Sequence, residues 1–168
     1  SGGAEVTIID ANRLSTSAVT VPSTGGAGQS TIHGFTITRG VGTATGTPPS
    51  ITRSGGGVHI TGGQTHIAQC RFRFNAVTGS GNTGHGRGGA IYTPGTAATL
   101  SIVDCDISFN GAGSSNSGAS GGGVYFESAS GGAFTMIRCT VKNNTALASN
   151  SGGASGGARA DRARSPAA

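Results

Sequence analysis

The sequence predicts an all-β chain folded as a parallel β-solenoid. Three observations predict it. Cys70, Cys105 and Cys139 recur at spacings of 35 and 34 residues inside segments of alternating character. A paired-glycine motif recurs between them and places Val58, Ile91 and Val124 33 residues apart. No helical period appears anywhere, and 33 Gly, 21 Thr and 20 Ser fill close to half of the 168 residues. Such a composition lacks the straight-chain residues that helices need. A repeat of this length without helices implies coils that stack on their neighbours.

The elements follow in chain order. Val6-Thr-Ile-Ile-Asp-Ala-Asn12 and Ser17-Ala-Val-Thr-Val21 fit an opening coil. Ile32-His-Gly-Phe-Thr-Ile-Thr-Arg-Gly40 is the first copy of the Cys-centred segment, with Phe35 in the Cys position. Further copies occupy 67–75, 102–110 and 136–144. The paired-Gly motif reads Gly55-Gly-Gly-Val-His-Ile60, Gly88-Gly-Ala-Ile-Tyr-Thr93 and Gly121-Gly-Gly-Val-Tyr-Phe126. A fourth copy opens at Gly156-Gly-Ala and runs into Arg159-Ala-Asp, where an apolar strand should follow. Residues 1–158 are therefore expected to form one solenoid domain of about four to five coils. Residues 159–168 are expected to be a disordered tail.

Within a copy, Cys105, Ile107 and Phe109 alternate with Asp106 and Ser108. Period two means strand, with the first set facing inward. Each coil is expected to carry two or three strands. The polar stretches 76–87, 111–120 and 145–155 read as loops. Parallel stacking at ~4.8 Å lays equivalent residues in columns. The expected inward columns are Ile32/Ile67/Ile102/Met136, Phe35/Cys70/Cys105/Cys139, Ile37/Phe72/Ile107/Val141 and Val58/Ile91/Val124. Asn75, Asn110 and Asn144 form a turn column whose amides bond one another and suit a left-handed turn.

Charge excludes some roles. The net charge is +5, but three of the ten Arg lie in the last ten residues and no basic run is interleaved with aromatics. That is not the footprint of a nucleic-acid surface. No apolar stretch approaches the ~20 residues of a membrane-spanning helix. With no initiator Met or signal peptide, the chain reads as a mature piece or a fragment of something longer.

With these motifs in hand, the sequence resembles right-handed parallel β-helix proteins of the pectate-lyase-like class. More narrowly it resembles the repeats of chlamydial-type polymorphic outer-membrane proteins, marked by Gly-Gly-Ala-Ile and Phe-x-x-Asn motifs. Gly88-Gly-Ala-Ile91 and Phe72-Arg-Phe-Asn75 match in full, and the other copies match loosely over roughly 31–158. The resemblance implies a right-handed coil and an extracellular or cell-surface setting. It also implies an adhesin or structural repeat, or, in the wider class, a polysaccharide lyase or hydrolase. Fold-level likeness does not choose among these.

The residues bear on that choice. Glycosidases need two acids flanking one bond, and lyases of the resembling class use clustered acids for Ca²⁺ with an Arg or Lys base. The chain has six acids, and Asp104-Cys-Asp106 is the one close pair. Column arithmetic sets Arg71 beneath Asp106 and Arg138 above Asp104, so cross-coil ion pairing competes with catalysis for both. Asp104, Asp106 and Arg71 remain the catalytic candidates. Gly84-His-Gly86 echoes a polygalacturonase motif, without the rest of that signature. Cys70, Cys105 and Cys139 read as stacked core thiols, and their parallel Cβ vectors suit disulfides poorly. No metal-ligand spacing is present. His59, Tyr92 and Tyr125 share the outward position of the paired-Gly strand and could form a stacked sugar-binding platform. Asn143-Asn-Thr145 matches a glycosylation sequon.

The expectation is an extracellular or cell-surface repeat module, adhesive or structural, that performs no catalysis and needs no cofactor. Its partners would be polysaccharides or host glycans. A polysaccharide-active enzyme, which could use Ca²⁺, and a subunit that polymerises end to end are the alternatives.

Overall fold

The computed structural model describes residues 7–23, 28–94, 98–128, 131–149, 153–156 and 158–162. These residues form an all-β parallel solenoid of about four turns, without a helix. Five sheets run along its length, where the repeat alone suggested two or three strands per coil. We name each sheet after a residue of its Gln64–Thr93 coil.

The Ile67 sheet stacks Gln29–His33, Gln64–Ala68, Thr99–Val103 and Ala133–Ile137. The Phe72 sheet stacks Ile8–Asp10, Thr36–Thr38, Arg71–Arg73, Asp106–Ser108 and Thr140–Lys142. The Ile91 sheet stacks Val19–Val21, Val58–Ile60, Ile91–Thr93, Val124–Ser128 and Ala158–Arg162. The backbone of the last of these strands pairs residue for residue with Val124–Ser128, so strand pairing runs four residues into the stretch expected to be tail. Residues 163–168 lie outside the described residues.

The other two sheets correct the expected loops. Ala76–Gly79, Gly111–Ser114 and Thr145–Ala148 form the Val77 sheet. Ser50–Ser54, Gly86–Arg87, Ala119–Ser120 and Ala154–Ser155 form the Gly86 sheet. Thr43–Thr47 adds to its edge as the antiparallel arm of a hairpin. These strands are mostly Gly, Ala, Ser and Thr, with Ile51, Val77 and Leu147 as isolated larger apolar residues. Their pairing is a backbone matter, so they show no apolar alternation for a sequence reading to find.

The inward columns lie as expected. Ile32, Ile67, Ile102 and Met136 are in register, as are Val58, Ile91 and Val124. Ile67, Phe72, Ile91, Ile102 and Ile107 are fully buried. Together with Cys70 and Cys105 they belong to one continuous core.

Three columns of left-handed residues turn the chain between sheets. Gly34, Gln69, Asp104 and Arg138 (φ 77°, 51°, 52° and 50°) separate the Ile67 and Phe72 sheets. Arg39, Phe74, Phe109 and Asn143 (φ 58°, 57°, 58° and 54°) close the Phe72 sheet. Gly55, Gly88 and Gly121 (φ 62°, 65° and 61°) precede the Ile91 sheet. The left-handed residue is thus the one before each ladder asparagine. Asn75 and Asn110 instead face inward, 0% and 2% exposed.

Beside the third corner the coils touch backbone to backbone. A Cβ on Gly89 would lie 2.1 Å from the Gly122 carbonyl oxygen, and one on Gly56 2.3 Å from that of Gly89. Glycine there is a packing requirement.

Candidate functional site

The asparagine column carries most of its polar capacity along the solenoid axis. Asn75 Nδ2 donates to Asn110 Oδ1 (3.0 Å) and to the Ile37 carbonyl (2.9 Å). Asn110 Nδ2 donates to Asn144 Oδ1 (2.9 Å) and to the Phe72 carbonyl (2.9 Å). The backbone N–H groups of Asn75 and Asn110 donate to the same side-chain oxygens. Buried amides need such partners, and here each coil supplies them to the next.

The carboxylates are engaged in the same way. Arg138 binds Asp104 through two parallel bonds of 2.6 and 2.7 Å, the expected pair, made possible because both are left-handed corner residues of one column. Arg39 binds Asp10 similarly, a pair the repeat arithmetic missed. Asp106 faces Arg71 in register, and its ion pair reaches diagonally to Arg73 at 3.1 Å. Burial alone would raise the Asp106 carboxyl. The nearby Ser108 hydroxyl, Arg73 and Lys142 outweigh that and hold it below the ordinary carboxylate range. Hydrogen bonding to Arg138 lowers Asp104. Asp104 stands at a corner and Asp106 on a strand, and each has a different arginine. The geometry shown is ion pairing between coils.

Cys70 and Cys105 lie in the core, 1% and 3% exposed, and all three thiols are unbridged. The Cys70 N–H donates to Cys105 Sγ at 3.4 Å. Hydrogen bonding with Cys70, together with burial, pushes the Cys105 thiol up. Among the described residues, no group of three or more His, Cys, Asp or Glu could hold a metal ion.

His59, Tyr92 and Tyr125 stack as their spacing predicts. Tyr92 and Tyr125 are 5.6 Å apart and nearly parallel, and His59 meets Tyr92 edge-on at 5.1 Å. They are only 7–9% exposed, however, so little ring surface is offered to a ligand. Burial pushes His59 down and both tyrosines up. Arg87 lies over the Tyr125 ring. The stack is internal support more than a platform. His85 is likewise tied between coils, its Nδ1 accepting from the Gly118 N–H at 3.2 Å.

The exposed aromatics are elsewhere. Phe109, expected to point inward, projects outward because the left-handed corner breaks the strand alternation one residue early. Phe74 does the same one coil below. They are 61% (Phe74) and 48% (Phe109) exposed and stack at 5.8 Å with planes 24° apart. A large residue in the left-handed region costs about 1–3 kcal/mol. The final coil uses Asn143, a cheaper choice, at the same corner. Phe74 and Phe109 wall an open groove of about 420 Å³ whose lining also includes Asn143, Gly111, Thr145 and Arg13. The signal for this site in the sequence was an aromatic directly before the ladder asparagine in two successive coils.

Comparison of the chain with family models, with curated proteins and with solved structures finds no match. Among the described residues, no helix is long and apolar enough to cross a membrane.

Proposed function

We propose that the chain is an extracellular or cell-surface β-solenoid module with an adhesive or structural role. The observation that carries this reading is the use of its polar groups. Asp10, Asp104 and Asp106 each pair with an arginine of another coil, and the buried asparagines bond from coil to coil. Polar residues arranged this way build a long, regular body. The exposed Phe74–Phe109 ridge supplies a contact surface of the kind that marks interaction sites. In this reading the partners are polysaccharides or host-surface glycans, and no cofactor takes part.

The test is a depolymerisation assay on pectic, alginate and neutral polysaccharides, with and without Ca²⁺, beside attachment of protein-coated beads to glycan-bearing surfaces. No new chain ends are expected. Turnover that disappears in Asp106→Ala would overturn the reading and make the Asp104/Asp106 region an enzyme site.

One observation favours a second reading, end-to-end assembly. Ala133–Ile137, Thr140–Lys142 and Thr145–Ala148 each end their sheet among the described residues. Ile137 and Leu147 are exposed there. Unpaired edges recruit further strands. Sedimentation that shifts with concentration would support assembly, and a monomeric mass throughout would exclude it.

A further inference from the structure

We infer that copies of this chain stack head to tail. The Ile8–Asp10 strand of one copy adds to the Thr140–Lys142 strand of another, in the register the coils already use. This rests on the end-to-end reading and deepens it by fixing polarity, register and contacts. Among the described residues these two strands are the first and last of the Phe72 sheet.

Three observations fit the two ends to each other. The first is hydrogen-bond phase. Thr36, Arg71, Asp106 and Thr140 form one column, and each sends its N–H to the coil before it, at 2.9, 2.8, 3.0 and 2.8 Å. Ile8 opens that column, so its N–H points the same way, to where the Cys139 carbonyl of a second copy would stand. The second is charge. Asp10, Thr38, Arg73, Ser108 and Lys142 share one outward column, so this register sets Asp10 of one copy over Lys142 of the other. Lys142 is exposed. Asp10, Asp104 and Asp106 each pair with an arginine of another coil. A carboxylate–cation contact across a coil boundary is therefore a contact the chain already makes, and joining like ends would give it up. The third is apolar surface. Ile9 and Val141 end the inward column whose Ile37, Phe72 and Ile107 are fully buried, and both are only partly buried. Stacking covers the two together. Exposed Ile8 and Leu14 lie at one end, and exposed Ile137 and Leu147 at the other.

Such an interface is heterologous and does not close, so it builds a filament. Each copy brings five strands to the Phe72 sheet. At ~4.8 Å per strand the axial repeat is ~24 Å.

The experiment is sedimentation velocity over a concentration series, with electron microscopy of the assembled material. The wild-type chain is expected to grow with concentration into filaments of ~24 Å repeat. Lys142→Asp and Asp10→Lys each set like charges at the contact and should each weaken association about tenfold or more. An equimolar mixture of the two should regain wild-type association, because each supplies the charge the other lacks. Lys142→Arg keeps the charge at an exposed position and should assemble as wild type. It replaces the mixture as the control if Asp10→Lys, which loses its Arg39 pair, fails to fold. Monomers of wild type at every concentration would overturn both this inference and the end-to-end reading. Assembly as strong in Lys142→Asp as in wild type would overturn the inference alone. So would a different axial repeat, or a mixture that stays as weak as its folded components.

Discussion

The Thr99–Phe126 coil and the final coil at 133–162 repeat the same pattern and differ in what covers them. In the first, Ile102 and Ile107 are fully buried and Asn110 is 2% exposed. In the last, the corresponding Met136 and Val141 are only partly buried, and Ala133–Ile137 alternates between exposed and half-buried. The motif is shared, so the difference lies in the neighbours. A coil in the middle has a partner above and below. The final coil has a described partner on one side. In a solenoid, stability is a sum of coil and interface contributions, and a motif residue counts fully only when both interfaces exist.

Paired substitutions can break or sharpen that contrast. The largest effect is expected in the glycine column. Gly89→Ala would force a Cβ to within 2.1 Å of a backbone oxygen, whereas a Cβ on Gly156, in the glycine motif of the final coil, would meet nothing within 4 Å. Gly89→Ala should abolish cooperative unfolding by circular dichroism, and Gly156→Ala should leave it intact. Equal behaviour of the two would remove the packing argument.

Next comes the apolar column. Phe72→Ala should cost about 3–5 kcal/mol and Val141→Ala about 1 kcal/mol in urea unfolding. The asparagine column follows. Asn110→Ala strips an acceptor from Asn75 and a donor from the Phe72 carbonyl, inside the core. It should cost about 3 kcal/mol. Asn144 is itself half-buried, so water can reach the place it leaves, and Asn144→Ala should cost about 1 kcal/mol. Identical losses at Asn110 and Asn144 would mean that the ladder is not what holds the coils together.

The smallest effect concerns Asp106, which stands between Arg71 and Thr140 in register and pairs diagonally with Arg73. Its folded pKa is depressed, so its contribution is present above the unfolded value of about 4 and disappears as pH falls through the folded value. Melting temperature should therefore drop on acidification below about pH 4, and Asp106→Asn should flatten that limb. An unchanged limb in Asp106→Asn would place the acid sensitivity at Asp10 and Asp104, whose carboxyls are also lowered by their arginines.

Much of this was legible in the residues. The spacing of Cys70, Cys105 and Cys139, and of Val58, Ile91 and Val124, stated the coil and its inward columns. Parallel register copies each residue onto its equivalent, so spacing alone placed Asp104 beneath Arg138. The diagonal from Asp106 to Arg73 was not legible, because it depends on how far a flexible side chain leans. The burial of His59, Tyr92 and Tyr125 was not legible either, because alternation tells outward from inward and says nothing of what packs over the outward side.

The sequence by itself determined the period, the all-β class and the core columns, because stacked coils make position in the repeat equivalent to position in space. Only the tertiary structure decided the rest. It made strands of 76–79 and 111–114, where a lone Val77 among Gly, Ala, Ser and Thr leaves too little apolar signal to read and backbone pairing does the work. It turned Phe74 and Phe109 outward, because a left-handed residue at a corner resets the alternation that a strand pattern assumes. It gave the final coil its exposure, because burial depends on the adjoining coil and is not encoded in the motif that each coil repeats.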